Sequence, residues 1–216
     1  MGGREVSRLA LECLSSLLFF SSCVILLSMK TIWQNIKKSY SAFEKERLQV
    51  MAYSQTIRQE SKKLIHKILH NDRANNTRTL QKIKTNVDAL LRLIERNPYL
   101  YQVGFLNEGL EEYAEVVFLE AYLKDNFEIA LYLPKSIPHE AFIGGIADAS
   151  GELVRFVRNK MQVEEAERVH RYITILYEHF LDLEVSRNNK LRQKIGEVRN
   201  NLLRLEEIMF SLKLKG

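Results

Sequence analysis

The segment GGIADASGELVR, residues 144–155, decides the fold class of this chain. Its helical periodicity places Asp148, Glu152 and Arg155 on one face. Its three glycines lie inside the predicted helix, where each costs about 0.8–1 kcal/mol relative to alanine. Small residues beside an acidic stripe allow another backbone or a phosphate chain to come close. The alternative is tight helix packing, with Arg155 paired to Asp148 or Glu152.

The composition of the whole chain agrees with a helical class. Its 216 residues are 46% apolar and 27% charged, with only 3 Pro and 9 Gly, so it is neither disordered nor collagen-like. A β-sandwich would need many more turn signals. The two cysteines, Cys13 and Cys23, lie in one apolar run, which excludes a disulfide scaffold and gives no cysteine metal site.

Helical spacing continues outward on both sides and predicts an all-α bundle of six or seven helices with a long N-terminal helix. No alternating strand pattern is long enough to predict a sheet. A first helix of some forty residues would be about 60 Å long, which favours association between chains. The predicted helices span residues 31–70, 77–95, 102–132, 139–160, 164–183 and 187–213.

The N-terminal residues have three interpretations. No charged residue occurs from Cys13 to Met29. Residues 1–28 are predicted to be an apolar extension outside the folded domain, which would then span residues 29–216. Alternatively, residues 9–29 form a signal anchor or membrane span, in which case a membrane becomes a partner. The third interpretation is an ordinary buried helix.

The charge distribution indicates a polyanionic partner and a bound cation. The net charge of +5 divides into +9 over residues 30–96, −7 over 97–170 and +3 over 171–216. A basic first third is typical of phosphate binding. An acidic middle would repel that partner unless a cation neutralised it. This conflict predicts a metal-dependent site that acts on phosphates.

The predicted third helix carries a second acidic stripe. Glu108, Glu112 and Glu115 share one face, and the face continues into apolar positions such as Leu119. A solvated acidic face is the ordinary interpretation of such a pattern. Like charges at this spacing destabilise a helix by a few tenths of a kcal/mol, about 0.2–0.5 per pair, and a cation would remove that effect.

Taken together, the two stripes predict a site for a hard divalent cation. Carboxylate oxygens are the ligands that Mg²⁺ and Mn²⁺ prefer, and such a cation can activate water for phosphodiester cleavage. A ferritin-like di-iron site is a weaker alternative, because no histidine has the required Glu-x-x-His spacing. Four carboxylates on the two helices match the oxygen ligands that such a hard cation prefers.

Several segments resemble the family of translin and translin-associated factor X (Trax). They are GLEEYAEVV at residues 109–117, GIADASGELVR at 145–155, ESKK at 60–63 and the stretch from 188 to 216. The resemblance covers about residues 30–216. It implies an all-α, translin-like bundle and an octameric shell that encloses RNA and cuts it with Mg²⁺ or Mn²⁺.

The resemblance also implies which of the two subunit types this chain is. Trax-type subunits keep all four carboxylates and are catalytic, whereas translin-type subunits lack part of the set and mainly bind nucleic acid. This chain has all four at the matching positions and therefore looks like the catalytic type, in a prokaryotic, archaeal-like homo-oligomer. The metal ligands that the resemblance implies are Glu112, Glu115, Asp148 and Glu152. Lys62 and Arg155 match basic positions that support RNA cleavage. Glu111 departs from the glutamine common in Trax, which adds a charge and removes no ligand.

The resulting hypothesis is a cytoplasmic, metal-dependent endoribonuclease that binds and cleaves single-stranded RNA inside a homo-octamer. DNA or RNA duplex ends are further potential partners. One alternative is a non-catalytic translin-type protein that binds single-stranded RNA or DNA. Another is a membrane-anchored helical adaptor. In the first hypothesis Arg155 holds the scissile phosphate, and the flanking phosphates contact Arg58, Lys62 and Lys63.

Overall fold

The computed structural model describes residues 3–70, 76–126, 133–134 and 136–214, with side chains from residue 28 onward. These residues form six α-helices and no strand, which confirms the predicted all-α class. A short 3-10 helix, Pro98–Gln102, connects the second helix to the third. The helices are α1 (Gly3–Leu69), α2 (Asn76–Arg96), α3 (Leu106–Leu123), α4 (His139–Lys160), α5 (Val163–Leu181) and α6 (Asn189–Lys213).

The chain forms two compact units, Met1–Arg47 and Leu48–Gly216. The predicted boundary after residue 28 stays a prediction, because the side chains of residues 1–27 lie outside the described part. Almost all of the candidate anchor, residues 9–29, also lies among the residues whose side chains are not described. Among the residues that are described, no helix is long and apolar enough to cross a membrane. All residues of the predicted site belong to the second unit.

The third predicted helix is shorter than its pattern suggests. Periodicity predicts one helix over residues 102–132, whereas α3 begins at Leu106 and ends at Leu123. Asp125 adopts a left-handed backbone with φ of 50°, and the N–H of Asn126 donates to the carbonyl of Ala121 over 3.0 Å. No glycine or proline signals this turn, and aspartate tolerates the left-handed region. Residues 127–132 lie outside the described residues.

Most residues of helix α3 are buried within the second unit. It packs most extensively against α4, and α6 packs against both α4 and α5. An apolar stripe at helical spacing along this helix is buried. Burial extends beyond that stripe to residues on the carboxylate-bearing side. The buried stripe consists of Leu106, Leu110, Tyr113 and Val117.

Close contact between α3 and α4 depends on Gly145. A Cβ atom at this position would lie 2.7 Å from the Cβ of Ala114 and 3.0 Å from the backbone nitrogen of Glu115. Both distances are shorter than an ordinary van der Waals contact. The two backbones therefore approach as closely as a missing side chain allows, and the carboxylates of the two helices are brought together.

Two sets of hydrogen bonds fix α1 and α6 against this pair. In α1 the hydroxyl of Ser54 donates to the carbonyl of Phe105 and accepts from the N–H of Gly109 over 3.2 Å. In α6 the amide of Asn201 donates to the hydroxyl of Ser150 over 2.8 Å. Ser54, Ser150 and Asn201 are all buried, so each contact sets the position of its helix.

Candidate metal and RNA site

A cavity of about 560 Å³ opens between α1, α3, α4 and α6. All four predicted metal ligands line it. The wall from α1 includes Lys62 and His66, and the wall from α6 includes Arg204. The prediction that two helices present their carboxylates to one place agrees with this arrangement. The four carboxylates are Glu112, Glu115, Asp148 and Glu152.

Three of these carboxylates are paired with a basic side chain. Lys62 Nζ lies 2.9 Å from Glu112 Oε1, and Arg155 Nη1 donates to Glu152 Oε1 over 2.7 Å. The second of these is the Glu152–Arg155 pair that the spacing had suggested as an alternative. Asp148 accepts from Lys194 Nζ over 2.6 Å.

Glu115 is the exception among the four. Its side chain is buried, with 7% of the residue exposed, and no ion pair reaches it among the described residues. Burial, followed by the nearby charges of Glu112, Asp148 and Glu152, raises the pKa of Glu115 to about 9, while Lys194 opposes the shift. Glu115 therefore holds a proton at neutral pH unless a bound metal cation displaces that proton.

The neighbouring groups respond to the same surroundings. Burial raises the pKa of Glu112, although the hydrogen bond from Lys62 and the charge of Arg58 act against it. Burial lowers the pKa of Lys194, but hydrogen bonds to Asp148 and Glu111 outweigh it, and the net direction is upward. The site thus contains excess negative charge that its own basic residues only partly balance.

The predicted RNA-binding residues separate into two groups. Lys62 and Arg155 line the cavity, while Arg58 lies at its edge, 3.0 Å from Glu108 and 3.9 Å from Glu112. Lys63 does not line the cavity. It is exposed and pairs with Glu60 over 2.7 Å, because successive helical residues point about 100° apart. An RNA contact by Lys63 stays a prediction.

The last helix contributes residues that sequence reasoning missed. Lys194, Glu197, Asn201 and Arg204 follow each other at intervals of three or four residues on α6. The last three line the cavity, and Lys194 reaches Asp148 from the side. Their spacing between the buried residues Leu191, Val198 and Leu205 could have indicated a polar face. Only the packing of α6 on α4 shows what that face contacts.

The donor chemistry suits a hard cation, but the ligands are not gathered around one point. Carboxylate oxygens line the cavity, as Mg²⁺ or Mn²⁺ requires. Nevertheless, within the described residues no three His, Cys, Asp or Glu side chains are close enough to hold a metal ion. The reason is visible in the ion pairs, since three carboxylates are turned toward Lys62, Arg155 and Lys194. A bound cation would require them to turn inward.

Comparison with known proteins identifies the family. The sequence model of the translin family matches residues 32–216, which is most of the chain. The chain belongs to the translin family. The resemblance of its carboxylate-bearing segments to this family is thereby confirmed. The family match does not distinguish the Trax-like subtype from the translin-like one. No curated protein matches this translin-family chain significantly.

Solved structures confirm the translin-like fold of this family member. AfC3PO matches with a TM-score of 0.76 and 20% identity, over 84% of this chain and 97% of its own. A complex of AfC3PO with duplex RNA matches with a TM-score of 0.75 and 20% identity, over 84% of this chain and 96% of that chain. The structure of apo-NeC3PO matches with a TM-score of 0.72 and 22% identity, over 83% of this chain and 96% of that chain. At such identities the likeness shows the fold.

Proposed function

We propose that this translin-family chain is a Trax-like, metal-dependent endoribonuclease that cuts single-stranded RNA. The observation that carries the proposal is Glu115, a buried carboxyl surrounded by three other carboxylates. Burying such a group without a charged partner is unfavourable, and strongly shifted carboxyls in clefts are typical of functional sites. A divalent cation would turn this arrangement into a favourable one.

Each residue then has a role of its own. Glu112, Glu115, Asp148 and Glu152 would hold Mg²⁺ or Mn²⁺ inside the cavity. When bound, the cation supplies Lewis-acid polarisation of the phosphodiester and lowers the pKa of water. Arg155, exposed at the rim and one turn beyond Glu152, can exchange its carboxylate partner for the scissile phosphate.

RNA binding is supported by the basic residues that line the cavity together with the carboxylates. Lys62, His66 and Arg204 line the same cavity as the acidic groups. Contacts of this kind hold the phosphate backbone without reading its sequence. The solved complex of AfC3PO with duplex RNA supports an RNA ligand for this fold. We further propose a cytoplasmic homo-octamer, on the resemblance to Trax, with DNA or RNA duplex ends as further potential ligands.

One observation favours a non-catalytic, translin-type function instead. Three of the four carboxylates already have a basic partner, so they could serve as links between helices. Such a protein would bind nucleic acid in a salt-dependent manner and would be indifferent to EDTA. The buried carboxyl of Glu115, which has no basic partner among the described residues, has no role in that case, which is why catalysis is the better proposal.

Asp148→Asn tests the proposed activity directly. We expect the purified wild type to cleave a labelled single-stranded RNA with Mg²⁺ and to stop when EDTA is added. The variant should lose at least about a hundredfold, since even groups that merely support metal ligands are worth 10–100-fold. Asp88→Asn is the matched control, because Asp88 pairs with Lys84 on α2, away from the cavity. Unchanged cleavage by Asp148→Asn would contradict the proposal.

Metal affinity should increase with pH. Glu115, with its pKa of about 9, must release its proton before it can bind a cation. Between roughly pH 6 and pH 8 we expect the apparent Mn²⁺ affinity to rise by up to about tenfold per pH unit. Isothermal titration calorimetry in buffers of different ionisation enthalpy would count the released proton. An affinity that is flat over this range would exclude Glu115 as a ligand.

A further inference from the structure

Lys194 links three helices at the edge of the cavity. From α6 its ammonium group donates to Asp148 of α4 over 2.6 Å and to Glu111 of α3 over 2.8 Å. Its side chain is 25% exposed, so both hydrogen bonds are partly shielded from solvent. An ammonium group has three donors, and a carboxylate oxygen accepts readily from each.

Glu111 differs from the four carboxylates in its position. It does not line the cavity, and it lies where Gly144 leaves room for it. A Cβ atom at residue 144 would be 3.0 Å from Glu111 Oε1. Its one ion pair among the described residues is the contact with Lys194. Glu111 is therefore placed to hold Lys194 whether or not Asp148 does.

We propose that Lys194 is a positioning residue that serves as an internal cation for Asp148 and is retained by Glu111 when a divalent cation takes Asp148. This inference rests on the proposed function, in which Asp148 is a metal ligand. Lys194 and the metal compete for the same carboxylate. Glu111 makes the exchange easier, because it keeps the displaced ammonium paired.

The physical basis is the cost of a half-buried charge without a partner. Removing one member of such a pair leaves the other charge poorly solvated and unpaired. If Lys194 had only Asp148, any metal that bound Asp148 would have to bear that cost. With Glu111 on the other side, the ammonium loses one hydrogen bond and keeps a charged acceptor. The two residues should therefore affect metal affinity in opposite directions.

The experiment is Mn²⁺ binding by calorimetry to the full chain and three variants. Lys194→Gln removes the competitor, and we expect affinity to rise by about tenfold. Glu111→Gln leaves Lys194 with Asp148 alone, and affinity should fall several-fold. In the double variant Glu111 has nothing to retain, so its affinity should equal that of Lys194→Gln. Thermal unfolding would establish that each variant is folded.

A matched control separates this exchange from a general change in charge. Arg204→Gln also removes one positive charge from the cavity, but Arg204 contacts Asn201 and Glu197 rather than a proposed ligand. It should raise Mn²⁺ affinity much less than Lys194→Gln. An equal rise in both variants would overturn the proposal, since net charge alone would then account for it.

The remaining outcomes are also decisive. If the wild type binds Mn²⁺ and Lys194→Gln binds it no more tightly, Lys194 does not compete with the metal for Asp148. This inference is then wrong, while the proposed function stands. A double variant weaker than Lys194→Gln would make Glu111 a metal ligand and overturn its retaining role. If the wild type binds no Mn²⁺ at all, both the proposed function and this inference fail.

Discussion

Replacing Glu115 by glutamine will make the metal-free protein more stable and will abolish its metal-dependent cleavage. Glutamine has nearly the same shape but cannot ionise, so it removes the group whose charged form is made unfavourable by burial and by three neighbouring carboxylates. With a pKa of about 9 in the fold against an ordinary 4.5, Glu115 destabilises the protein at neutral pH by an upper bound of about 3 kcal/mol.

The sign of this effect gives it a distinctive pH dependence. A carboxyl whose pKa is raised on folding contributes stability below its ordinary value of 4.5, and that stability is lost as pH rises toward about 9. The gain from Glu115→Gln should therefore be small near pH 5 and large near pH 8. Urea denaturation in EDTA at both pH values would measure it. A gain that does not change with pH would contradict the shifted pKa.

Glu120→Gln is the matched control for this variant. Glu120 is also a buried carboxylate on α3, but Lys124 lies 2.6 Å from it and it does not line the cavity. We expect no gain in stability and no loss of RNA cleavage. Glu115→Gln should lose at least about a hundredfold in cleavage. A variant that is more stable yet inactive would separate the function of Glu115 from its role in folding.

Gly145→Ala will destabilise the fold by about 1–3 kcal/mol, although alanine is the better helix former. The added methyl group would lie against Ala114 and the backbone of Glu115, so α3 and α4 would have to move apart. The carboxylates on these two helices would separate with them. We therefore expect lower stability and weaker metal binding together.

Gly151→Ala is the control on the same helix. There the nearest atom to an added Cβ is the amide nitrogen of Asn201 at 3.6 Å, an ordinary contact. The substitution should stabilise the protein by about 0.5–1 kcal/mol through helix propensity. Chemical denaturation of the two variants would decide the matter. A similar result for both would show that α3 and α4 are not held at their closest approach.

The sequence predicted the helical class and the two acidic stripes because both depend on local spacing. A repeat of 3.6 residues puts Asp148 beside Glu152, and Glu112 beside Glu115, without any knowledge of the fold. The same spacing failed at the end of α3, where the left-handed backbone of Asp125 stops the helix without a glycine or proline. Lys63, named with Lys62 as an RNA contact, does not line the cavity and pairs with Glu60, and its contact with RNA stays a prediction.

What the sequence alone determined is which residues share a helix face. Which faces meet was decided by the tertiary structure, through the missing side chain of Gly145 and the hydrogen bond between Ser150 and Asn201. That packing buries Glu115 and brings Lys194 to Asp148 across 46 positions of sequence. Burial and charge pairing depend on how the helices pack in three dimensions, so residue spacing along one helix could not predict them.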